Sequence, residues 1–382
     1  MKVGCLIVGV LALMLGVRAE ASTCVAPANG ASIALQGHPF AAVASADGCW
    51  VFVTLDMGKD RGAVAVLHNQ DGAFSLDRTF DLSGNAYGAS LTHDGKVLVV
   101  ADADDTAVLD VAALEQADAS PLLGLFHDGS NAGAIYTAIS LDDKLLFVSD
   151  EDARRISIFE LAQARADKFQ NKTSIGHIPT AFAPVGLAVS PDGRWLYATS
   201  QIGPASPGLP KTCQSEDGKG RMHPQGLLLR VDVDKVITDP KGALVSALPA
   251  GCNPVRVAVS PSGKQIWVTA RGDNALLRFQ ADDWLAKSTQ STFDTYPIGA
   301  NPVGVVVRPD DQQVWVALSN RFGKKSDGQI AGLDYGAGVS SMKLMTAAAS
   351  GFPREVSFLP DGHTLVATLF DAKLVEFIPT PD

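Results

Sequence analysis

Several polar residues in the C-terminal half are of types that bind anions. Arginine guanidinium groups hold a carboxylate or a phosphate through paired hydrogen bonds. The residues stand where short apolar runs begin or end: Arg256, Arg271, Asn320, Arg321, Arg354 and Glu355. Together with Tyr136 and His127 upstream, they are candidates for a ligand-binding site. Solvated or mutually paired charges are the alternative interpretation, since exposed ion pairs contribute little stability.

Acidic residues gather after two earlier apolar runs. Neighbouring carboxylates can bind a hard cation such as calcium through their oxygen atoms. The metal candidates are Asp102, Asp104, Asp150 and Asp152, with Asp105 and Glu151 beside them. Their spacing matches no established calcium loop, so solvated acidic loops are the simpler interpretation. The sequence predicts no cofactor.

The histidines do not indicate a catalytic triad. His38, His127 and His177 precede apolar runs, but no G-x-S-x-G sequence accompanies them. The adjacent pair of interest is His127 with Asp128. These residues leave open whether the protein is an enzyme.

A repeated strand-turn-strand sequence must position these side chains. Its turns, from Ser45 to Leu359, are spaced 47, 48, 50, 70, 48 and 51 residues apart. A period of about 40 to 50 residues, with four strands per unit, is typical of a β-propeller. The seven copies are AAVASADGCWVFVTL from Ala41, GASLTHDGKVLVVAD from Gly88, TAISLDDKLLFVSD from Thr137, GLAVSPDGRWLYATS from Gly186, RVAVSPSGKQIWVTA from Arg256, GVVVRPDDQQVWVAL from Gly304 and EVSFLPDGHTLVATL from Glu355. The sequence therefore predicts an all-β, seven-bladed propeller with four-stranded antiparallel blades.

The end of the chain predicts how the ring closes. A third strand follows each pair, and the last of these begins near Lys373, shortly before the final residue, Asp382. The seventh blade thus lacks a fourth strand. We expect the segment Ala31 to Gln36 to supply it, because closure leaves no long sheet edge exposed. In such a ring, the loops before each first strand and after each second strand lie on one face, around the channel mouth.

The first residues resemble an export signal. Lys2 precedes an uncharged apolar run from Val3 to Val17, and Ala19-Glu20-Ala21 matches a cleavage site. The run is short for a membrane span of about 20 residues. We therefore expect residues 1–21 to be a cleaved signal peptide and residues 22–382 to be one propeller domain, periplasmic or secreted. The formal net charge of −10 disfavours nucleic acid as a partner.

Four cysteines remain after the leader. They are Cys24, Cys49, Cys213 and Cys252, with no C-x-x-C spacing. An even number in an oxidising compartment indicates disulfides, although four cysteines allow three pairings. The spacing of 70 residues marks an insertion at residues 201–225 in the fourth blade. A bridge between Cys213 and Cys252 would fasten this insertion, which leaves Cys24 and Cys49 as the second pair by default.

Two blades carry a more specific pattern. GCNPVRVAVSPSGKQIWVTARGDNAL runs from Gly251 to Leu276, and GANPVGVVVRPDDQQVWVALSN runs from Gly299 to Asn320. They resemble the YVTN family of seven-bladed propellers and, more loosely, lactonase-like propellers. The first three blades lack the Asn-Pro lead-in. The resemblance implies the fold more than an activity, because its residues are turn and core positions.

Two classes of function fit these patterns. The first is a binding or scaffold module that recognises a small molecule or an envelope protein, as a monomer. The second, implied by the resemblance, is a hydrolase of cyclic esters using a base and cations among Arg256, Arg271, Arg354, Glu355 and His127. An electron-transfer subunit would require a cofactor-bearing partner, because the sequence has no haem motif.

Overall fold

The computed structural model describes residues 24–27, 30–116, 120–170, 172–205, 212–214, 220–282, 293–323, 328–336, 343–349 and 351–381. Seven four-stranded antiparallel sheets follow one another along this part of the chain. First strands of successive blades pack against each other around a central channel. The all-β, seven-bladed propeller predicted from the repeat is confirmed.

Each blade begins at the channel with its first strand and extends outward. Blade 1 is formed by β2 (His38–Ala44), β3 (Trp50–Asp56), β4 (Gly62–Gln70) and β5 (Ala73–Leu82). Blade 2 is formed by β6 (Ala89–Leu91), β7 (Val97–Asp102), β8 (Asp105–Asp110) and β9 (Leu122–His127). Blade 3 is formed by β10 (Ala134–Ile139), β11 (Leu145–Asp150), β12 (Arg155–Glu160) and β13 (Gly176–Pro179). Short helices α1 (Val111–Leu114) and α2 (Leu161–Ala166) follow the third strands of blades 2 and 3.

Blade 4 is formed by β14 (Phe182–Val189), β15 (Trp195–Ile202), β18 (Leu227–Asp232) and β19 (Leu244–Pro249). Its insertion contains a small ribbon of β16 (Thr212–Cys213) and β17 (His223–Pro224). Blade 5 is formed by β20 (Pro254–Val259), β21 (Gln265–Ala270), β22 (Ala275–Gln280) and β23 (Phe293–Pro297). Blade 6 is formed by β24 (Pro302–Val307), β25 (Gln313–Leu318), β26 (Gln329–Asp334) and β27 (Lys343–Ala348). Two 3-10 turns, Val233–Lys235 and Arg271–Asp273, complete the regular structure in the described residues.

The seventh blade closes the ring with both ends of the chain. It combines β28 (Pro353–Phe358), β29 (Thr364–Leu369) and β30 (Leu374–Pro379) with β1 (Ser32–Ala34). The strand β1 pairs antiparallel with β30, placing Ile33 opposite Val375. This confirms the predicted pairing. The rings of Phe74 in blade 1 and Phe377 in blade 7 stack with centroids 4.4 Å apart beside this closure, so apolar burial reinforces the strand pairing.

The repeated turn has a common hydrogen-bond pattern. In blade 1 the hydroxyl of Ser45 donates to Asp47 at 2.5 Å and accepts from the backbone N–H of Trp50 at 3.0 Å. Thr92 repeats both bonds in blade 2. The glycine after the aspartate, Gly48, has φ of 70°, a left-handed conformation that costs glycine little. These bonds explain why the sequence signal of the turns recurs so regularly.

Neighbouring blades are also joined near the channel. The Thr54 hydroxyl of blade 1 donates to the Tyr87 carbonyl of blade 2 at 2.6 Å. Thr199 and Thr269 make matching bonds to the next blades, at 2.7 and 2.8 Å. Thr368 of blade 7 donates to the Phe40 carbonyl of blade 1 at 3.2 Å. These bonds hold the first strands at fixed positions around the channel.

Candidate functional site

Three large side chains from non-adjacent blades meet across the channel. Tyr136, Arg256 and Glu355 lie on the first strands of blades 3, 5 and 7. The Nε atom of Arg256 donates to Oε2 of Glu355 at 2.9 Å, and its guanidinium lies 4.2 Å from the Tyr136 ring centroid. Blades 3, 5 and 7 are not neighbours, so these contacts can form only across the channel. The three side chains form a plug.

The plug depends on glycine at corresponding places in the other blades. A Cβ atom added at Gly88 would lie 2.4 Å from the Tyr136 ring, and one at Gly304 would lie 2.7 Å from the Glu355 side chain. Both distances are far below normal carbon contacts. The small residues at this position in blades 1, 2, 4 and 6 therefore leave the space that the plug fills.

Burial affects the ionisation of the plug. Removal from water raises the pKa of the Tyr136 hydroxyl, and the Glu355 carboxylate contributes to that rise. For Arg256, burial opposes the charged form, but the Glu355 and Tyr136 side chains outweigh it and raise the guanidinium pKa. Arg256 is thus a paired cation whose charge Glu355 balances.

A second layer lies one residue earlier in each repeat. Six of its seven residues are apolar or aromatic, and the seventh is Arg354: Phe40, Tyr87, Ile135, Val185, Val255, Val303 and Arg354. The side chains of Val185, Val255 and Val303 pack together, with Ile135 against them. A guanidinium in such a layer loses hydration, which costs free energy unless a partner compensates it.

Neighbouring groups compensate only part of the hydration that the Arg354 guanidinium loses. Its guanidinium lies 3.7 Å from the ring centroid of Phe40, and the ring of Phe370 is 5.3 Å away. Among the described residues, its buried Nε has no hydrogen-bond partner. Burial, followed by repulsion from Arg256 and Arg321, lowers the pKa of Arg354 to about 9. Strongly perturbed groups of this kind are typical of functional sites.

A cavity of about 270 Å³ opens above the plug on the face of the second-to-third-strand loops. It is lined by Ile135, Glu151, Val185, Gln201, Val255, Arg256, Arg271, Val303, Arg321, Phe352 and Arg354. Four of these residues are arginines and one is a glutamate, while Glu355 balances Arg256. Positive side chains therefore outnumber negative ones in the lining of this cavity.

Hydrogen bonds order one side of the cavity. The Gln201 side chain donates to Oε1 of Glu151 at 3.1 Å and accepts from Nη2 of Arg271 at 2.7 Å. Burial and the nearby Asp152 raise the pKa of Glu151, against the attraction of Arg271, Arg256 and Arg354. These bonds connect blades 3, 4 and 5.

The backbone beside the cavity is strained at Phe352. Its φ is 62°, a left-handed conformation that is unfavourable for a bulky residue. The corresponding residues of blades 5 and 6 are Asn253 and Asn301, each with φ of 50° and each followed by proline. Asparagine tolerates this conformation better than phenylalanine. The Phe352 ring is thus placed on the cavity at a cost in local stability.

The structure brings most of the predicted mouth residues together. Arg256, Arg271, Arg321 and Arg354 line one cavity, and Tyr136 and Glu355 lie directly beneath it in the plug. Asn320 is not among the lining residues; a Cβ added at Gly323 would lie 2.2 Å from its side-chain oxygen, so it packs within its own loop.

His127 lies elsewhere. It ends the outermost strand of blade 2, is exposed, and its Nδ1 contacts Asp105 Oδ1 at 2.8 Å. The loop before a first strand starts at the outer edge of the preceding blade, which is why a residue there need not reach the channel.

The acidic candidates have separate environments. Asp150 is buried and pairs with Arg155 at 2.8 Å, and Asp104 accepts from the Ala132 N–H at 3.1 Å. Burial, then repulsion from Asp105, raises the pKa of Asp102 to about 7. The Asp152 side chain is in contact with Gly133. Within the described residues, no group of three or more histidines, cysteines or acidic residues is arranged to hold a metal ion.

Both cysteine pairs form disulfides. Cys24 bonds to Cys49, and Cys213 bonds to Cys252. The second bridge attaches the blade 4 insertion to the loop that precedes β20. In that loop the Asn253 carbonyl accepts from the Arg271 N–H at 3.1 Å. The insertion is therefore covalently tied to a loop that positions a cavity residue.

The sequence did not reveal Glu151, Gln201 and Phe352 as cavity residues, nor Phe40 as the ring against which Arg354 lies. An alignment of the seven repeats by column would have shown Arg354 as the charged exception in its layer. A larger groove of about 490 Å³ lies between blades 4 and 5 on the opposite face, beside Trp195 and Arg230. The channel cavity is the stronger candidate because charged groups from several blades converge on it.

One of three comparisons with known proteins found a similar fold. No family model matches the chain, and no curated protein sequence matches it. The chain is similar to a solved structure of Kuenenia stuttgartiensis hydrazine synthase, with a TM-score of 0.67 and 16% sequence identity. The alignment covers 90% of this chain and 96% of that one. At this identity the likeness shows the fold alone.

Proposed function

We propose that this propeller is a binding module for a small organic anion, held in the channel cavity above the plug. The observation that carries the proposal is Arg354, a partly dehydrated guanidinium whose Nε lacks a partner among the described residues. A carboxylate would supply the missing acceptor and offset the cost of burial. The excess of positive charge in the cavity favours the same class of ligand.

The layers of the channel give each residue a role in binding. The plug closes the channel below the cavity, so a ligand enters from the loop face. The valines in the layer of Arg354 provide an apolar surface for a short carbon chain. Arg271 is held by Gln201, and Arg321 is exposed at the rim, where it can attract an anion before Arg354 binds it.

Isothermal titration calorimetry with short carboxylates, inorganic phosphate and lactones tests this function. We expect a carboxylate such as butyrate to bind, and Arg354→Met to weaken binding by about ten- to a hundredfold, as for loss of a charged hydrogen bond. Arg165→Met is the matched control, because Arg165 pairs with Asp94 away from the channel. Absence of binding across the panel, or hydrolysis of a lactone, would contradict the proposal.

We also propose that the protein is exported and that it functions in the periplasm or outside the cell. The leader pattern of residues 1–21 and the two disulfides support this location. Among the described residues, no helix has the length and apolar character needed to cross a membrane. N-terminal sequencing of the exported protein is expected to begin at Ser22; a retained leader would contradict cleavage.

The relationship to YVTN-type propellers is likewise a proposal. Its support is the lead-in in which a residue of positive φ precedes the proline that begins a first strand, as in Asn253-Pro254 and Asn301-Pro302. Ala183-Pro184 and Phe352-Pro353 have the same backbone conformation without the asparagine. Blades 4 to 7 therefore share one backbone conformation at the start of the first strand.

A further inference from the structure

Opposite charges face each other across the channel cavity. Glu151 follows the second strand of blade 3, while Arg321 and Arg354 come from blades 6 and 7. In a ring of seven blades, blade 3 lies opposite the boundary between blades 6 and 7. The cavity therefore has the Glu151 carboxylate on one side and the Arg321 and Arg354 guanidinium groups on the other. Arg271 of blade 5 lies between them and is joined to Glu151 through Gln201.

The Glu151 carboxylate makes no ion pair with any residue that the structure describes. It accepts one hydrogen bond, from the neutral amide of Gln201. Its half-buried position limits its hydration. Arg256, the cation of the plug, is already paired with Glu355. A carboxylate in this setting is stabilised by a cationic group of a ligand.

One pair of surrounding loops adds to this separation of charge. The loop after the second strand of blade 2 contributes Asp104, whereas the corresponding loop of blade 6 contributes Arg321; the loops of blades 1, 5 and 7 carry charges of both signs, such as Arg271 with Asp273. The field of the arginines in blades 6 and 7 is thus directed towards blades 2 and 3. A field of this form orients a dipolar ligand and attracts each of its ends to a different side.

We propose that the ligand is a zwitterion with a carboxylate directed at Arg354 and Arg321 and an ammonium group directed at Glu151. This inference rests on the proposed function and specifies its ligand class as amino acids, with the spacing of the two charges set by the cavity. A simple carboxylate satisfies only the arginine side. An amine without a carboxylate is repelled by the positive charge of the cavity and does not bind.

Calorimetric titration with matched ligands tests the inference. The ω-amino acids from glycine to 6-aminohexanoate scan the distance between the two charges, and each has a carboxylic acid of equal chain length as its partner. At the best length, such as 4-aminobutyrate against butyrate, we expect the amino acid to bind about tenfold tighter, equivalent to about 1.4 kcal/mol. Butylamine is expected not to bind.

The variant Glu151→Gln removes the charge and keeps the shape. We expect it to bind 4-aminobutyrate and butyrate equally, with butyrate bound at least as tightly as by the wild type. Glu160→Gln, an exposed substitution at the far end of the third strand of the same blade, is expected to change neither affinity.

The outcomes separate the two proposals. If butyrate binds and no amino acid binds more tightly than its matched acid, the zwitterion inference is overturned while the anion site stands. If neither class binds the wild type, the proposed function itself fails. The wild-type series decides between these results even if the Glu151 variant does not fold.

Discussion

The Nε atom of Arg256 in blade 5 donates a 2.9 Å hydrogen bond to Oε2 of Glu355 in blade 7, across the central channel. Both side chains are buried. The pair closes the channel and neutralises the arginine closest to the cavity floor. It therefore determines how much of the positive charge above it is available to a ligand.

The first prediction concerns this pair. We expect Glu355→Gln to lower the free energy of unfolding by about 3 kcal/mol, because it leaves a buried guanidinium without its counter-ion. Urea denaturation followed by tryptophan fluorescence measures the change. Asp142→Asn, which breaks an exposed pair with Lys144, is the control and should cost less than about 1 kcal/mol. Equal losses of stability from both substitutions would show that the buried pair stabilises the protein no more than an exposed pair does.

The second prediction concerns the strain at Phe352. Replacing it with asparagine should relieve the left-handed backbone, with a gain of about 1 kcal/mol offset in part by lost ring contacts. The same variant should bind butyrate more weakly, since the ring lines the cavity. Phe182→Asn is the control, because Phe182 is not left-handed and lies outside the cavity. Loss of stability with unchanged binding would contradict a role in the site.

The third prediction is a pH profile of binding. The pKa of Arg354 is lowered to about 9, so the free protein loses this positive charge as the pH rises through that value. Butyrate affinity should be level between about pH 6 and about pH 8, where the ligand is ionised, and fall by up to about tenfold per unit above about pH 9. The Arg354→Met variant should lack this slope. An affinity that stays flat to about pH 10.5 would show that Arg354 does not bind the ligand.

The fourth prediction concerns Asp102. Its pKa is raised to about 7, so the folded protein holds a proton that the unfolded chain releases near pH 4. This contribution to stability is complete below about pH 4 and is lost as the pH rises through about 7, at up to about 1.4 kcal/mol per unit. Asp102→Asn should therefore reduce the difference in unfolding free energy between about pH 5 and about pH 8. An unchanged difference would show that Asp102 does not hold this proton in the folded protein.

The sequence predicted the fold in detail because its signals are local. The Ser45 and Thr92 hydroxyl bonds, the left-handed Gly48 and the alternating turns and apolar strands recur at a constant period. Ring closure by Ala31 to Gln36 followed from the missing last strand. Each of these features depends on neighbours in the chain or on the number of strands.

The site could be predicted only in part. Position in the repeat identified Arg256, Arg271, Arg321 and Arg354 as residues of one face. It could not show that Glu355 forms an ion pair with Arg256. It also could not place Glu151 opposite the arginines, because that relationship depends on the closed geometry of seven blades. His127 was misleading because its distance from the channel depends on the path of a loop.

The most direct test of the anion site is a crystal structure of the protein with 4-bromobutyrate, located by the anomalous signal of bromine. We predict the carboxylate within hydrogen-bond distance of the Arg354 guanidinium, with the bromine in the cavity above the plug. Density for the ligand at another surface, with an unoccupied channel cavity, would contradict the account.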